Sequence, residues 1–241
     1  VSRLIVLARY WNDMDWLEAS LEHIRYWNPD YTIISEGNWD QDFPQYSVDG
    51  TRERVESFVE DIDGCLIDNI RTDTNYRKNQ AATSNKAMTL AKAEVGDWVI
   101  VIDCDMFFFK EDIDSYKRMM VESTFIYPVF HTYAFLTDLN CCQIVKDNCG
   151  VKLPYKLVKG YRWIPTNHLR AGSIYHRAGL KRLDSEIKGY HYEGMRSATR
   201  LKDKYDIGDR KTPESIGRLN NLVPFKGSHP DFVMEVLSEY S

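Results

Sequence analysis

What this chain lacks narrows it first. No stretch approaches a membrane-spanning helix, which needs about 20 consecutive apolar residues, and no signal peptide is visible. The five cysteines, Cys65, Cys104, Cys141, Cys142 and Cys149, are odd in number and carry no paired C-x-x-C spacing. That argues against a zinc site and a full disulfide framework, and points to reduced thiols in a cytoplasmic setting. Basic residues are not in excess: 31 Lys and Arg face 36 Asp and Glu, for a net charge of −5 and a pI near 5.7. A general nucleic-acid-binding surface is therefore disfavoured, although a local basic groove is still compatible with this balance. Glycine is missing from Ala8-Arg9-Tyr10-Trp11-Asn12, where a dinucleotide-binding loop would require it. There is no internal repeat, low-complexity tract or interdomain linker. The chain opens at Val1 rather than at methionine, which fits a missing upstream piece.

What is present alternates between strand and helix. Leu4–Ala8 reads as a first strand, and Asn12 or Asp13 is placed to cap the helix after it. In that helix Met14, Leu17, Leu21 and Ile24 form an apolar stripe at helical spacing. Asn28-Pro29-Asp30 ends it, and Tyr31–Ser35 is a second strand closed by Glu36-Gly37. A polar, aromatic loop runs from Asn38 to Gly50. Arg52–Ile62 reads as helix, Cys65–Ile67 as strand, and Asn79–Val95 as helix. Gly96-Asp97 turns the chain into Val99-Ile100-Val101-Ile102, whose four β-branched residues read as a buried strand. This order predicts an α/β fold: a mostly parallel sheet flanked by helices, with ligands beyond the carboxyl ends of its strands. Later the pattern loosens. Asp112–Val121 reads as helix, Thr124–Leu136 contains strand-like runs, and Asn140–Gly160 gives no clear element. A strand is expected near Ser173–Tyr175, a basic helical segment over Arg196–Lys204, and a short helix from about Asp231.

The fourth strand delivers Asp103 and Asp105, two residues apart, to its end. Side chains at i and i+2 of an extended segment point the same way, so both carboxylates can converge on one hard cation or one polyhydroxyl ligand. Taken with the preceding Asn85-Lys86, Gly96-Asp97 and the apolar run, the pair resembles the DxD motif of GT-A glycosyltransferases, family-2-like in its amino-terminal half. The resemblance covers about residues 1–110 in order of elements and the tail more loosely. It implies a single GT-A domain over 1–241. Residues 1–110 would be the nucleotide-sugar half, and 111–241 an acceptor-side half with a carboxyl-terminal elaboration.

The resemblance also implies roles. Asp103 would face ribose and metal, and Asp105 would bind Mn²⁺ or Mg²⁺, which holds the donor diphosphate. Arg9 and Glu36, at the ends of the first two strands, would contact the nucleotide, and Arg77 and Lys86 would reach phosphate or ribose. His191, in Gly189-Tyr190-His191-Tyr192-Glu193-Gly194, would be the third metal ligand. His229, in Lys226-Gly227-Ser228-His229, competes with it, and Lys226 would touch the diphosphate. Bland readings compete with these: a surface ion pair for Arg9 and Glu36, a solvated helix face for Arg77, Lys86 and the run from Arg196. Asp138, Asp184, Glu186 and Glu193 are candidate general bases, with Glu193 nearest His191 in sequence. Trp163, Thr166, Asn167 and His168, or Trp39-Asp40, are candidates for an acceptor pocket. The implied reaction is metal-dependent sugar transfer, inverting by preference, from a nucleoside diphosphate, a uridine one first, to a hydroxyl on a glycan, lipid, protein or modified nucleic acid.

Three rival functions remain. A haloacid-dehalogenase-type phosphohydrolase also carries a DxD, but early in the chain and followed by Thr, whereas Met106-Phe107 follows here. A nicotinamide-dependent oxidoreductase lacks its glycine loop. A non-catalytic carbohydrate- or nucleotide-binding module of the same fold needs no metal chemistry.

Overall fold

The computed structural model describes residues 2–122, 127–145, 154–164, 168–170, 182–196, 201–202 and 218–238. Four strands, β1 (Leu4–Tyr10), β2 (Tyr31–Glu36), β3 (Gly64–Asp68) and β4 (Trp98–Asp103), lie parallel in the order β3-β2-β1-β4. The short β8 (Tyr155–Lys156) adds antiparallel to β4. Helices α1 (Leu17–Trp27), α2 (Thr51–Glu60) and α3 (Tyr76–Leu90) make the crossovers. A central parallel strand is covered on both faces, so its sequence is a continuous apolar run rather than an alternation. Ile5, Val6, Leu7 and Ala8 of β1 and Val99 and Ile100 of β4 are accordingly fully buried. This is the α/β fold expected, of the GT-A-like kind.

A second sheet follows the two aspartates. β5 (Met106–Phe107) pairs antiparallel with β11 (Arg182–His191), which runs parallel to β6 (Tyr127–Ala134). Beyond it come β7 (Cys141–Val145) and β12 (Val223–Pro224), in the order β12-β7-β6-β11-β5. β9 (Arg162–Ile164) and β10 (His168–Arg170) form a separate antiparallel pair. Helix α4 (Lys110–Glu122) follows β5, and the tail ends in a 3₁₀ turn at Asp231–Val233 and α5 (Met234–Ser238). Among the described residues no helix is long and apolar enough to cross a membrane.

Several boundaries differ from expectation for physical reasons. Helix α1 begins at Leu17, not after Asn12 or Asp13. Asn12 takes a left-handed φ of 50°, and the Asp13 carboxylate accepts from Trp11 N (2.9 Å) and from Arg196 (2.6 Å), so neither side chain caps. Leu17, Leu21 and Ile24 are buried as the stripe requires, but Met14 precedes the helix and is 40% exposed. Helix α3 starts three residues early because Asn75 caps it, its side chain accepting from Arg77 N at 3.0 Å. It stops at Leu90, and Lys92 turns left-handed with φ 49°. The unassigned span Asn140–Gly160 contains β7 and β8. The strand expected near Ser173–Tyr175 lies outside the described residues, as does most of Arg196–Lys204.

Candidate active site

Parallel pairing brings residues from three strand ends side by side: Arg9 is in register with Asp103, and Tyr10 with Glu36. Arg9 Nη2 donates to Asp103 Oδ1 at 2.9 Å. The Arg9 side chain is only 8% exposed. Its Nε and Nη1 are buried without a protein partner among the described residues, and so are Asn38 Nδ2 and Trp39 Nε1 just beyond β2. The Arg9 guanidinium lies 5.9 Å from the Trp39 ring centre. Buried N–H groups are normally satisfied, so a cluster of unsatisfied donors beyond the strand ends suits an acceptor-rich ligand.

Asp105 is 2% exposed. Its Oδ2 accepts from Arg196 Nη2 at 2.7 Å, and its Oδ1 stands 3.3 Å from His191 Nε2. The backbone fixes this pairing. His191 is in register with Met106 across β11 and β5, and Tyr192 N donates to Asp105 O at 2.8 Å. Arg196 is buried, not part of an exposed basic helix as its sequence neighbourhood suggests. Its other arm donates to Asp13 Oδ1 at 2.6 Å, and Nη2 also reaches Cys104 Sγ at 2.9 Å. Burial alone would lower the pKa of this guanidinium. The carboxylates of Asp105 and Asp13 outweigh it and hold the group well above its ordinary value. The Cys104 thiol is pushed well up by burial and stays protonated.

Whether these groups suit a divalent cation can be judged from the donors. A carboxylate oxygen and an imidazole nitrogen 3.3 Å apart form an edge that fits two positions around a six-coordinate ion. Such ions commonly complete their shell with phosphate and water. Asp103 is turned onto Arg9. Among the described residues no three His, Cys, Asp or Glu side chains form a metal-holding group. The donor set therefore fits a cation shared with a ligand, not one enclosed by protein alone.

The other candidates fall in different places. Glu36 is fully buried, and its two oxygens accept from Ser47 N (2.9 Å) and Arg52 Nη1 (2.8 Å). It anchors the loop after β2 and forms an ion pair, though not a surface one. Arg77 is exposed and donates to Tyr76 OH at 3.1 Å, and Lys86 is exposed on the same helix. Lys226 is exposed on the tail loop. His229 pairs with Tyr192 OH at 2.8 Å and packs on Phe135 and Phe225, with its pKa lowered by burial. It fastens the tail, whereas His191 stands at Asp105. Glu193 is half-buried in the turn between Tyr192 and Gly194. Asp138 is exposed and accepts from Asn140 N and Cys141 N. Trp163 is buried against α3, its backbone bonded to Asn85. Thr166 and Asn167 lie outside the described residues, as do the side chains of His168, Asp184 and Glu186.

No protein-family model matches the sequence, and no curated protein does. Among solved structures, S. aureus TarS 1–349 superposes with a TM-score of 0.52 at 10% identity, over 80% of this chain and 61% of that one. S. aureus TarS superposes with a TM-score of 0.51 at 12% identity, over 91% of this chain and 43% of that one. TarS 1–349 in complex with UDP-GlcNAc gives a TM-score of 0.45 at 12% identity, over 64% of this chain and 45% of that one. This chain thus spans under two thirds of the TarS chains, and at these identities the likeness is one of fold.

Proposed function

We propose that this chain is a glycosyltransferase that moves a sugar from a nucleoside diphosphate to a hydroxyl acceptor. The observation that carries the reading is the Asp105–His191 edge standing at the mouth of a parallel sheet whose neighbouring strand end holds buried, unsatisfied donors. A UDP-sugar is the donor to try first, since TarS 1–349, which shares the fold, has been solved with UDP-GlcNAc.

Charge supports the metal. Asp13, Asp103 and Asp105 face Arg9 and Arg196, an excess of carboxylate that would repel a diphosphate. Asp105 and His191 would hold Mn²⁺ or Mg²⁺, which when bound offsets the charge that grows on a leaving diphosphate. The chain's own residues do the rest. Arg9 offers Nε and Nη1 to donor oxygens, while Asp103 orients the guanidinium from its far side. Trp39 presents its ring and its N–H beside it. Glu193, one residue past Tyr192, would be the base that accepts the acceptor hydroxyl's proton, which an inverting displacement requires. The acceptor class is open to glycan, lipid, protein or modified nucleic acid.

The test is a donor panel with Mn²⁺, scored by thermal stabilisation and by release of nucleoside diphosphate, beside Asp105→Ala. A glycosyltransferase shifts its unfolding midpoint with one nucleotide sugar and loses the shift in the variant. Full activity in excess chelator removes the metal from the proposal. Stabilisation by a nucleotide sugar with no release to any hydroxyl would favour a binding module.

A further inference from the structure

We infer that Arg196 is a positioning residue: its guanidinium, clamped between Asp13 and Asp105, turns Asp105 so that one oxygen faces His191. The inference rests on the reading of Asp105 and His191 as the cation's edge.

The guanidinium is 4% exposed and takes one carboxylate on each arm, at 2.6 Å and 2.7 Å. A planar fork does this, whereas a lysine ammonium offers a single point. Both aspartates are anchored away from the fork. Asp13 Oδ2 accepts from Trp11 N at 2.9 Å, and Asp13 N donates to Thr51 Oγ1 at 2.9 Å. Asp105 O accepts from Tyr192 N at 2.8 Å. With Oδ2 taken by the fork, Oδ1 faces His191, 3.3 Å from Nε2.

Arg196 is held in turn by its own segment. Trp16 Nε1 donates to Met195 O at 2.6 Å, Met195 N to Tyr192 O at 3.1 Å, and Gly194 N to Phe135 O at 3.0 Å. The turn that exits β11 therefore places His191 and Arg196 on the two oxygens of one aspartate. Without the fork, Asp13 and Asp105 would be two buried carboxylates with no cation between them, and Asp105 would lose a contact that helps set its rotation.

Bare electrostatics and positioning predict opposite signs, which makes the idea testable. Removing a positive charge beside a cation site tightens cation binding by Coulomb's law. Losing the group that orients a metal ligand weakens it, by about 10- to 100-fold for groups of this kind. Mn²⁺ alone is titrated into the wild-type chain, Arg196→Gln, which removes the charge, and Arg196→Lys, which keeps the charge but not the fork, with free Mn²⁺ read by electron paramagnetic resonance. Electron spin-echo modulation from imidazole nitrogen reports whether histidine is bound. The expected result is nitrogen modulation in the wild type, with weaker binding and loss of that modulation in both variants. Binding as tight or tighter in the folded variants, with the modulation kept, overturns the positioning role and leaves the Asp105–His191 edge standing. Absence of Mn²⁺ binding or of nitrogen modulation in the wild type overturns both. Should Arg196→Gln not fold, Arg196→Lys decides alone, since it keeps the charge, so that Coulomb's law predicts no change, and removes only the fork.

Discussion

Acid should loosen this fold through one imidazole. His23 of α1 is fully buried, ringed by Trp27, Phe107, Phe108 and Phe232 at centroid distances of 5.1–6.3 Å. Trp27 Nε1 donates to His23 Nε2 at 3.3 Å, so that nitrogen is the acceptor and the ring is neutral. Protonation would place a second N–H against the indole N–H in an aromatic nest. Burial lowers the pKa from 6.5 to about 3. The unfolded chain therefore takes up the proton near pH 6.5 and the folded chain only near 3. Stability from this group is complete above the unfolded value and is lost as pH falls from about 6.5 towards 3. At pH 5 the loss is about 2 kcal/mol relative to pH 7. The assay is urea unfolding at both pH values for the wild type and His23→Phe, a ring that keeps the apolar packing and cannot titrate. Carboxylates contribute equally to the two proteins and cancel. The wild type should lose about 2 kcal/mol more than the variant on acidification. Equal losses would refute the argument.

Two further outcomes follow from packing. Gly194→Ala would drive a methyl into the Leu136 carbonyl. It should cost about 1–3 kcal/mol or more by overpacking and reduce Mn²⁺-dependent stabilisation as well, because the same turn carries His191 and Arg196; thermal melts with and without Mn²⁺ read both. Glu36→Gln keeps the shape and removes the charge facing Arg52, which retains Asp68 at 2.9 Å and Glu56 at 3.0 Å. Its cost should be about 1–2 kcal/mol in urea unfolding, with donor affinity falling only as far as the loop after β2 loosens.

The order of strand and helix through the fourth strand was legible because each element is a long run of one period. β1 and β4 are apolar on both faces, and the ends of β1, β2 and β4 fall where Arg9, Glu36 and Asp103 stand. What was hidden depends on partners far away in sequence. Arg196 sits in a stretch interleaved with acids and resembles a solvated helix; its two carboxylates are 183 and 91 residues distant. Asp13 looked like a cap because capping is the commonest local use of an aspartate before a helix, and a long-range ion pair overrode it. Glu36 was placed at the correct strand end, but its partners Ser47 and Arg52 lie in a loop and a helix start that carry no motif. β7, β8 and β12 are short strands of mixed composition, in which periodicity has too few residues to register.

The two sheets meet within five residues, and that junction explains why one aspartate counts more than its neighbour. Asp103 closes β4 and belongs to the parallel sheet, paired with Arg9. Met106 opens β5 and belongs to the second sheet, in register with His191. Asp105 lies between them and is linked to both: directly to His191 at the end of β11 and Arg196 just past it, and through Arg196 to the Asp13 loop after β1. A substitution at Asp103 disturbs its pairing with Arg9 within one sheet. A substitution at Asp105 leaves Arg196 and Asp13 facing a vacated site and detaches His191 from the parallel sheet's edge. Asp105→Asn should therefore lower both folding stability and nucleotide-dependent stabilisation. Asp103→Asn should lower mainly the second, and equal effects of the two on unfolding would contradict this division of roles.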